Sequence, residues 1–414
     1  MDHKRPPKTA FIGHPTDLNL FRSYIRFLKP EKTYRDEFIV KLFEWTPPYK
    51  VKDFSRLSLD GKNHIDALLI MVPFLPEMRD IKLRRVIAKI DEALAIAARE
   101  GCTVAALGGF TSIVLQGQER DFSEKHGIAV TSGNSLTAAI IIKSIETIAQ
   151  KFAVDLAGAT VAIIGASGDI GSACMGYLGT RVKRLYCTGR SVPTLKEMVQ
   201  RHAGYMTSEI IMTDNNREAV DKSAFCIFVT SAYTHLFSAE DFRPGTVVCD
   251  ASAPLNVKVA GSPRDDVFIY HGGIASLPFP LDAGFDLGLP GPYAFYGCQL
   301  EGLLLGLNPR LPCSWGRGNI SREKLELFMK EMDAYPSMRP LYSIGNMLYG
   351  DDRIEAYAKR WKSVYGESKA GRTKTIKRGN EWKKRSSKKY SAPSKKSYPA
   401  IPLLSIPTSP SATK

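Results

Sequence analysis

Two local patterns in these 414 residues have the makings of a reaction centre. The first is VAIIGASGDIGSA, Val161 to Ala173: an apolar run, then Gly165, Gly168 and Gly171 at three-residue spacing, then small helix formers. A short buried strand followed by such a turn brings the backbone close to a pyrophosphate, whose charge meets the unpaired N–H groups opening the next helix. Ser167, Asp169 and Ile170 lie in the same turn and join the three glycines as candidate cofactor-binding residues. A second strand-like run, RLYCTG (Arg184 to Gly189), is followed by Arg190, 19 positions after Gly171. An NAD site usually carries an acid there, whereas an arginine suits a 2′-phosphate, so NADPH is the expected cofactor. The plainer reading of Arg190 is a solvated loop arginine. The second pattern is Cys298, at the start of a leucine-rich helix in GPYAFYGCQLEGLLLGLN, Gly291 to Asn308. A helix N-terminus stabilises a thiolate, and Gly297 leaves the sulfur approachable. Its plainer reading is a buried cysteine behaving as a small hydrophobe.

Two further stretches look like ligand edges. The strand TVAALGG (Thr103 to Gly109) runs into FTSIV, placing Gly108, Gly109, Thr111 and Ser112 at its carboxyl end, where open α/β sheets bind their ligands. In AVTSGNSLTAAIIIKSIETIAQ a short strand, a polar turn from Thr131 to Ser135 that includes Asn134, and a helix follow one another. Backbone N–H groups in either loop are placed to hold a substrate oxyanion. Ordinary turn and capping chemistry is the alternative for both.

The elements that would position these residues alternate between strand and helix. Thr9 to His14, Phe38 to Trp45 and Ile65 to Phe74 read as strands of an N-terminal α/β region. A helix follows, with Ile87, Ile90, Leu94 and Ala98 on one face, ending at Gly101. After a linker near Asp155 to Gly158, further strands are expected at Glu209 to Thr213, Ala224 to Ala232, Thr246 to Ser252 and Val267 to Gly273. Repeated alternation of this kind means a Rossmann-type, doubly wound parallel sheet. The expected organisation is an N-terminal α/β substrate domain (1–152), an NADP(H)-binding Rossmann domain (153–290), a helical segment carrying Cys298 (291–366), and a disordered basic tail (367–414).

Composition narrows the class. An apolar fraction of 44% with 24% charged residues is that of a globular protein. Seven scattered cysteines with no Cys-x-x-Cys pair argue against a disulfide framework or a zinc site and for a reducing, cytoplasmic setting. No apolar run is long enough for a signal peptide or a membrane span. The net charge of +15 is concentrated at one end: residues 367–414 hold 13 Lys and Arg against 2 Glu, or +11, which leaves +4 for the rest. Such a tail is a solvated extension or a tether to a polyanion such as an anionic membrane surface, with peripheral attachment as one use.

The stretches FIGHPTDL, FLPEMRDIKLRRVIAKI, ALGGFTSIV, TSGNSLTAA, VAIIGASGDIGSA, the Cys-x-x-Glu of CQLEGLLL, and CSWGRGNIS occur in that order over roughly residues 9 to 325. In these the chain resembles the cyanobacterial long-chain acyl-[acyl-carrier-protein] reductases, which convert a fatty acyl thioester to a fatty aldehyde with NADPH. The resemblance implies a substrate region facing an NADPH domain across a cleft, with acyl carrier protein or coenzyme A as the handle of the acyl group. It further implies that Cys298 forms an acyl-enzyme thioester and that Glu301, three residues on, orients the helix or takes part in proton chemistry. His271-Gly272-Gly273 stands where the family pattern has Lys-Gly-Gly, so His271 takes the place of the lysine beside the site. Two other readings share the glycine turn: a shikimate-dehydrogenase-like NADP-dependent alcohol oxidoreductase, and a non-catalytic NADP(H)-binding protein that uses its tail on a polyanion.

Overall fold

Continuous apolar runs become strands covered on both faces, the condition under which a parallel sheet is stable. In the computed structural model, residues 6–15, 35–75, 83–232, 234–259, 264–316 and 320–366 are described. Thr16 to Leu18, residues 76–82, residues 317–319 and the basic tail from 367 onward, with the readings attached to them, lie outside that set.

The first sheet has the order β2-β3-β1-β4-β5, from β1 (Lys8–Gly13), β2 (Tyr49–Leu57), β3 (Ile65–Met71), β4 (Val104–Leu107) and β5 (Ala129–Thr131). All neighbours are parallel except β2, which runs antiparallel on β3. The helices of this half are α1 (Asp36–Trp45), α2 (Leu83–Arg99), the short α3 (Phe110–Val114), α4 (Glu119–His126) and α5 (Asn134–Phe152).

The second sheet contains β6 (Thr160–Ile164), β7 (Arg184–Thr188), β8 (Glu209–Thr213), β9 (Phe225–Phe228), β11 (Val247–Asp250) and β13 (Phe268–His271). A two-residue pair, β10 (Phe237–Ser238) with β12 (Val257–Lys258), lies beside it. The six strands are all parallel in the order β13-β11-β9-β6-β7-β8. This is the dinucleotide-binding order, with its reversal between β6 and β9. Helices α6 (Asp169–Leu178), α7 (Val192–His202) and α8 (Asn216–Asp221) connect these strands. The chain then forms a hairpin of β14 (Ile274–Ser276) and β15 (Ala294–Tyr296), which delivers it into α9 (Gly297–Leu307) and α10 (Arg322–Asp333).

The two sheets share one core. Phe11, Leu69 and Val104 of the first and Val161, Ile163, Phe225 and Val247 of the second belong to a single apolar cluster. Helix α5 contributes Leu136, Ile140, Ile141, Ile145 and Ile148, each wholly buried. At about 1.5 to 3 kcal/mol per buried aliphatic side chain, α5 is a main tie between the halves. Alternate residues Ala10 and Ile12 face the opposite way, into a second cluster under α2.

One expected strand is wrong. FIVKLFEW is rich in β-branched and aromatic residues, yet Phe38 to Trp45 forms helix α1. Ile39 and Phe43, four apart, are its buried residues, and Asp36 and Glu37 complement the dipole of its first turn. Strand β2 was not expected, because as a half-exposed edge it mixes Lys50, Lys52, Asp53 and Arg56 with few apolar residues. The described residues up to 364 belong to one compact unit. Among the described residues no helix is long and apolar enough to cross a membrane.

Candidate active site

Helix α9 begins directly after β15, so Gly297 and Cys298 lie in its first turn, where backbone N–H groups have no intrahelical acceptor. The start of α5 abuts it. A Cβ on Gly133, whose φ is +70°, would lie 2.1 Å from the Cys298 carbonyl oxygen and 2.3 Å from its Cα. Only glycine allows this approach in the left-handed region. Cys298 is half-buried, as is Cys313, whereas the other five cysteines are buried.

Burial pushes the Cys298 thiol up to about 11; the Gly109 and Gln299 backbone N–H groups, within hydrogen-bonding reach of the sulfur, pull the other way, and Glu301 opposes ionisation. In the resting protein burial therefore outweighs the helix N-terminus that the sequence pointed to.

Glu301 is wholly buried, and both its oxygens are engaged. It accepts from the Thr131 hydroxyl, from the Ser314 N–H at 3.2 Å and from the Leu136 N–H at 2.9 Å. It thus caps α5 from another helix, in place of the absent side chain of Gly133. His271 ends β13, is half-buried, and makes no side-chain hydrogen bond among the described residues. Burial lowers it to about 4, so its imidazole is neutral. It connects to the Cys298 helix through the chain: two residues on, the Gly273 carbonyl accepts from the Gly297 N–H at 2.8 Å.

In the loop after β4, the Thr111 hydroxyl donates to the Gly108 carbonyl at 2.9 Å and the Ser112 hydroxyl to the Gly109 carbonyl at 2.8 Å. These side chains hold the turn, and its N–H groups are what it can present to a ligand. Asn134 and Gln116 both donate to Asp169, at 3.5 and 2.9 Å, joining the loops of the first sheet to the first turn of α6. Asp169 is thereby a strut between the two sheets.

The glycine turn after β6 fits a dinucleotide. Gly165 has φ of +96°, and a Cβ there would lie 2.7 Å from the Val229 carbonyl oxygen; one on Gly171 would lie 2.3 Å from the Gly165 carbonyl. Gly168, the N-cap residue of α6, is exposed and supplies no side chain, so the Asp169, Ile170 and Gly171 amides face an open end beside half-buried Ser167. The buried Thr188 hydroxyl at the neighbouring strand end has no partner among the described residues. Arg190 is exposed beyond it. Together these leave an open turn that could hold a pyrophosphate, with a cation at its rim.

No protein-family model matches the chain. It is 29% identical over 335 residues to the long-chain acyl-[acyl-carrier-protein] reductase of Synechococcus elongatus, covering 77% of this chain and 94% of that protein. The chain is thus similar, over most of both lengths, to a long-chain acyl-[acyl-carrier-protein] reductase. It is also 23% identical over 310 residues to aminotransferase PigE of a Serratia species, spanning 73% of this chain but 36% of that one. Solved structures superpose loosely: L-tryptophan dehydrogenase from Nostoc punctiforme gives a TM-score of 0.33 at 9% identity, over 92% of this chain and 90% of that one.

The ALGGFTSIV, TSGNSLTAA, VAIIGASGDIGSA and CQLEGLLL stretches become three strand-end loops and the start of α9. Two further residues belong to the site. His14 directly follows β1 and touches the Gly109 loop, and buried Gln299, beside Cys298, donates to the Ile12 carbonyl at 3.1 Å with its own carbonyl unpartnered among the described residues. The only sequence signal was their place inside or beside the FIGH and Cys-x-x-Glu stretches.

Proposed function

We propose that this protein reduces a long-chain fatty acyl thioester to the fatty aldehyde with NADPH, through a thioester on Cys298. The observation that carries the reading is the position of Cys298: half-buried in a helix's first turn and packed against Gly133 at the start of α5. Support for the substrate comes from the Synechococcus relative, whose name specifies a long-chain acyl group on acyl carrier protein. Acyl-coenzyme A presents the same thioester on a different handle.

The Cys298 sulfur attacks the thioester carbonyl carbon. A new sulfur–carbon bond forms, the carrier's sulfur–carbon bond breaks, and the proton lost by the Cys298 thiol leaves on the carrier thiol. The Gly109 N–H faces this centre and is placed to favour the charge that develops on sulfur or on the carbonyl oxygen. Gly165, Gly168 and Gly171, with the first amides of α6, would hold the pyrophosphate, Ser167 and Thr188 would border it, and Arg190 would meet the 2′-phosphate. When bound, the coenzyme supplies a hydride to the acyl carbon. The Cys298 sulfur–carbon bond then breaks, releasing the aldehyde and leaving the bond's electron pair on the sulfur, which regains a proton from water. His271, neutral and two residues before the Gly273–Gly297 link, is the nearby group assigned to relay that proton from water, since it carries no net proton of its own to give. Glu301 acts by holding α5 against α9.

The test is a mass measurement. Incubation with long-chain acyl-coenzyme A, without NADPH, should add one acyl group to Cys298 and to none of the other six cysteines; added NADPH should discharge it as aldehyde. Cys298→Ser should still bind NADPH and lose the adduct and the turnover. Aldehyde formation by Cys298→Ser, with no adduct in the parent, would show direct hydride transfer to the substrate and defeat the proposal.

A further inference from the structure

Next to the Cys298 site lies a histidine whose two ring nitrogens are both engaged. His14 follows β1, its Nε2 accepts the Phe110 N–H at 2.8 Å, and its Nδ1–H donates to the Pro15 carbonyl at 2.9 Å. The Pro15 carbonyl places the proton on Nδ1, which leaves Nε2 free to accept. The rings of Phe74 and Phe110 flank the imidazole at 4.7 and 6.2 Å. Burial lowers His14 to about 4, which keeps it neutral and able to accept at Nε2.

The loop it touches consists of two consecutive peptide planes. In the first, the Gly108 carbonyl is held by the Thr111 hydroxyl, a Cβ on Gly108 would lie 2.1 Å from the side-chain nitrogen of Gln299 next to Cys298, and the Gly109 N–H favours the charged form of the Cys298 sulfur. In the second, the Gly109 carbonyl is held by the Ser112 hydroxyl and the Phe110 N–H is held by His14. Gly109, the hinge between the planes, has φ of +59° and ψ of −129°. A Cβ there would lie 2.7 Å from His14 Nε2, so the ring packs directly on this hinge. Remove the imidazole and the Phe110 N–H loses its acceptor in a buried place, which the loop can repair only by turning.

We propose that His14 is a positioning residue: it fixes the Gly109–Phe110 turn so that the Gly109 N–H stays directed at the Cys298 sulfur. The claim that this matters for turnover rests on the reading of Cys298 as the nucleophile. The geometric claim does not. The titratable groups that bear on the sulfur, Glu301 and Tyr296, both belong to the chain leading into or forming α9 and do not touch His14 through any hydrogen bond of the described residues.

The experiment compares His14→Leu, His14→Asn and His14→Gln in the full-length protein. Only the glutamine carbonyl reaches the place of Nε2; asparagine keeps polarity but is one bond too short. The first readout is alkylation of Cys298 by iodoacetamide at fixed pH below its pKa, located by peptide mass. Loss of one N–H donor that raises the thiol pKa by about one unit cuts the thiolate tenfold, partly offset by the greater nucleophilicity of a more basic sulfur, for a net fall of about threefold. Leu and Asn should show that fall and slow acyl transfer from long-chain acyl-coenzyme A at least tenfold, with NADPH affinity within twofold of the parent. Gln should stay near the parent in both. Equal behaviour of Gln and Asn, or parental alkylation in Leu and Asn, would overturn the proposal. If Leu does not fold, the Asn and Gln pair decides alone. Should the parent protein take no acyl group while its alkylation profile still depends on residue 14 as described, the acyl-enzyme reading fails and the positioning role stands.

Discussion

Replacing Gly133 by alanine should damage the reaction while sparing the coenzyme site. The added Cβ would sit 2.1 Å from the Cys298 carbonyl oxygen and 2.3 Å from the Cys298 Cα, both backbone atoms that cannot swing aside. Ordinary contact needs about 3.4 Å, so the start of α9 must retreat by roughly 1 Å from α5. The left-handed conformation at φ of +70° adds about 1 to 2 kcal/mol of strain for an L side chain, and the forced contact about 1 to 3 kcal/mol more. A shift of about 1 Å in a reacting group costs on the order of 100-fold in rate. Gly133→Ala should thus lower thermal stability measurably and slow acyl transfer to Cys298 by about two orders of magnitude. The glycine turn after β6 makes no contact with Gly133 through these atoms, so NADPH affinity should change by less than about threefold. The assay is the rate of acyl-adduct formation by rapid quench and mass measurement, beside coenzyme binding followed by fluorescence. An adduct forming at the parental rate in a folded Gly133→Ala protein would refute the placement of Cys298 against the α5 N-terminus.

Arg190→Ala should weaken NADPH roughly tenfold, the lower end for a charge-assisted contact at an exposed arginine, and leave NADH nearly unchanged in binding titrations; equal losses would mean that Arg190 does not meet the 2′-phosphate. Lys89 is buried, and its ammonium donates to the carbonyls of Phe43, Thr46 and Pro73 at 2.6, 2.8 and 2.8 Å, closing the C-terminal end of α1 onto the chain after β3. Lys89→Met should therefore lower the urea unfolding free energy by about 2 to 4 kcal/mol, because two buried acceptors and one half-buried one lose their donor; a value within about 0.5 kcal/mol of the parent would show that the ammonium is not needed. Burial raises the Asp250 carboxyl to about 6, against the N–H groups of Val257, Ser252 and Asn256 that favour its charged form. Since the folded protein then holds that proton more tightly than the unfolded chain, this group favours folding most below about pH 4 and less as pH rises to about 6, by up to roughly 3 kcal/mol. Asp250→Asn should remove that part of the pH dependence of unfolding; an unchanged slope between pH 4 and 6 would place the titration elsewhere.

The glycine turn, its strand and its helix were legible because every constraint on them is local: three glycines within seven residues, apolar residues before them, and a strand at the right interval after them. The parallel order of the second sheet followed from the same alternation, since buried strands leave continuous apolar runs. Cys298 could be placed at the start of a helix from its neighbours alone. What its surroundings do to it could not, because the thiol pKa depends on burial by residues more than 100 positions away. Phe38 to Trp45 was misread because composition favours a strand there, and only packing of Ile39 and Phe43 against the rest of the chain selects the helix. The contacts that build the site span long intervals: Glu301 caps α5 across 165 residues, and His14 holds the Phe110 N–H across 96. Such pairs leave no spacing to read along the chain, since each side chain looks ordinary until the fold brings its partner within 3 Å.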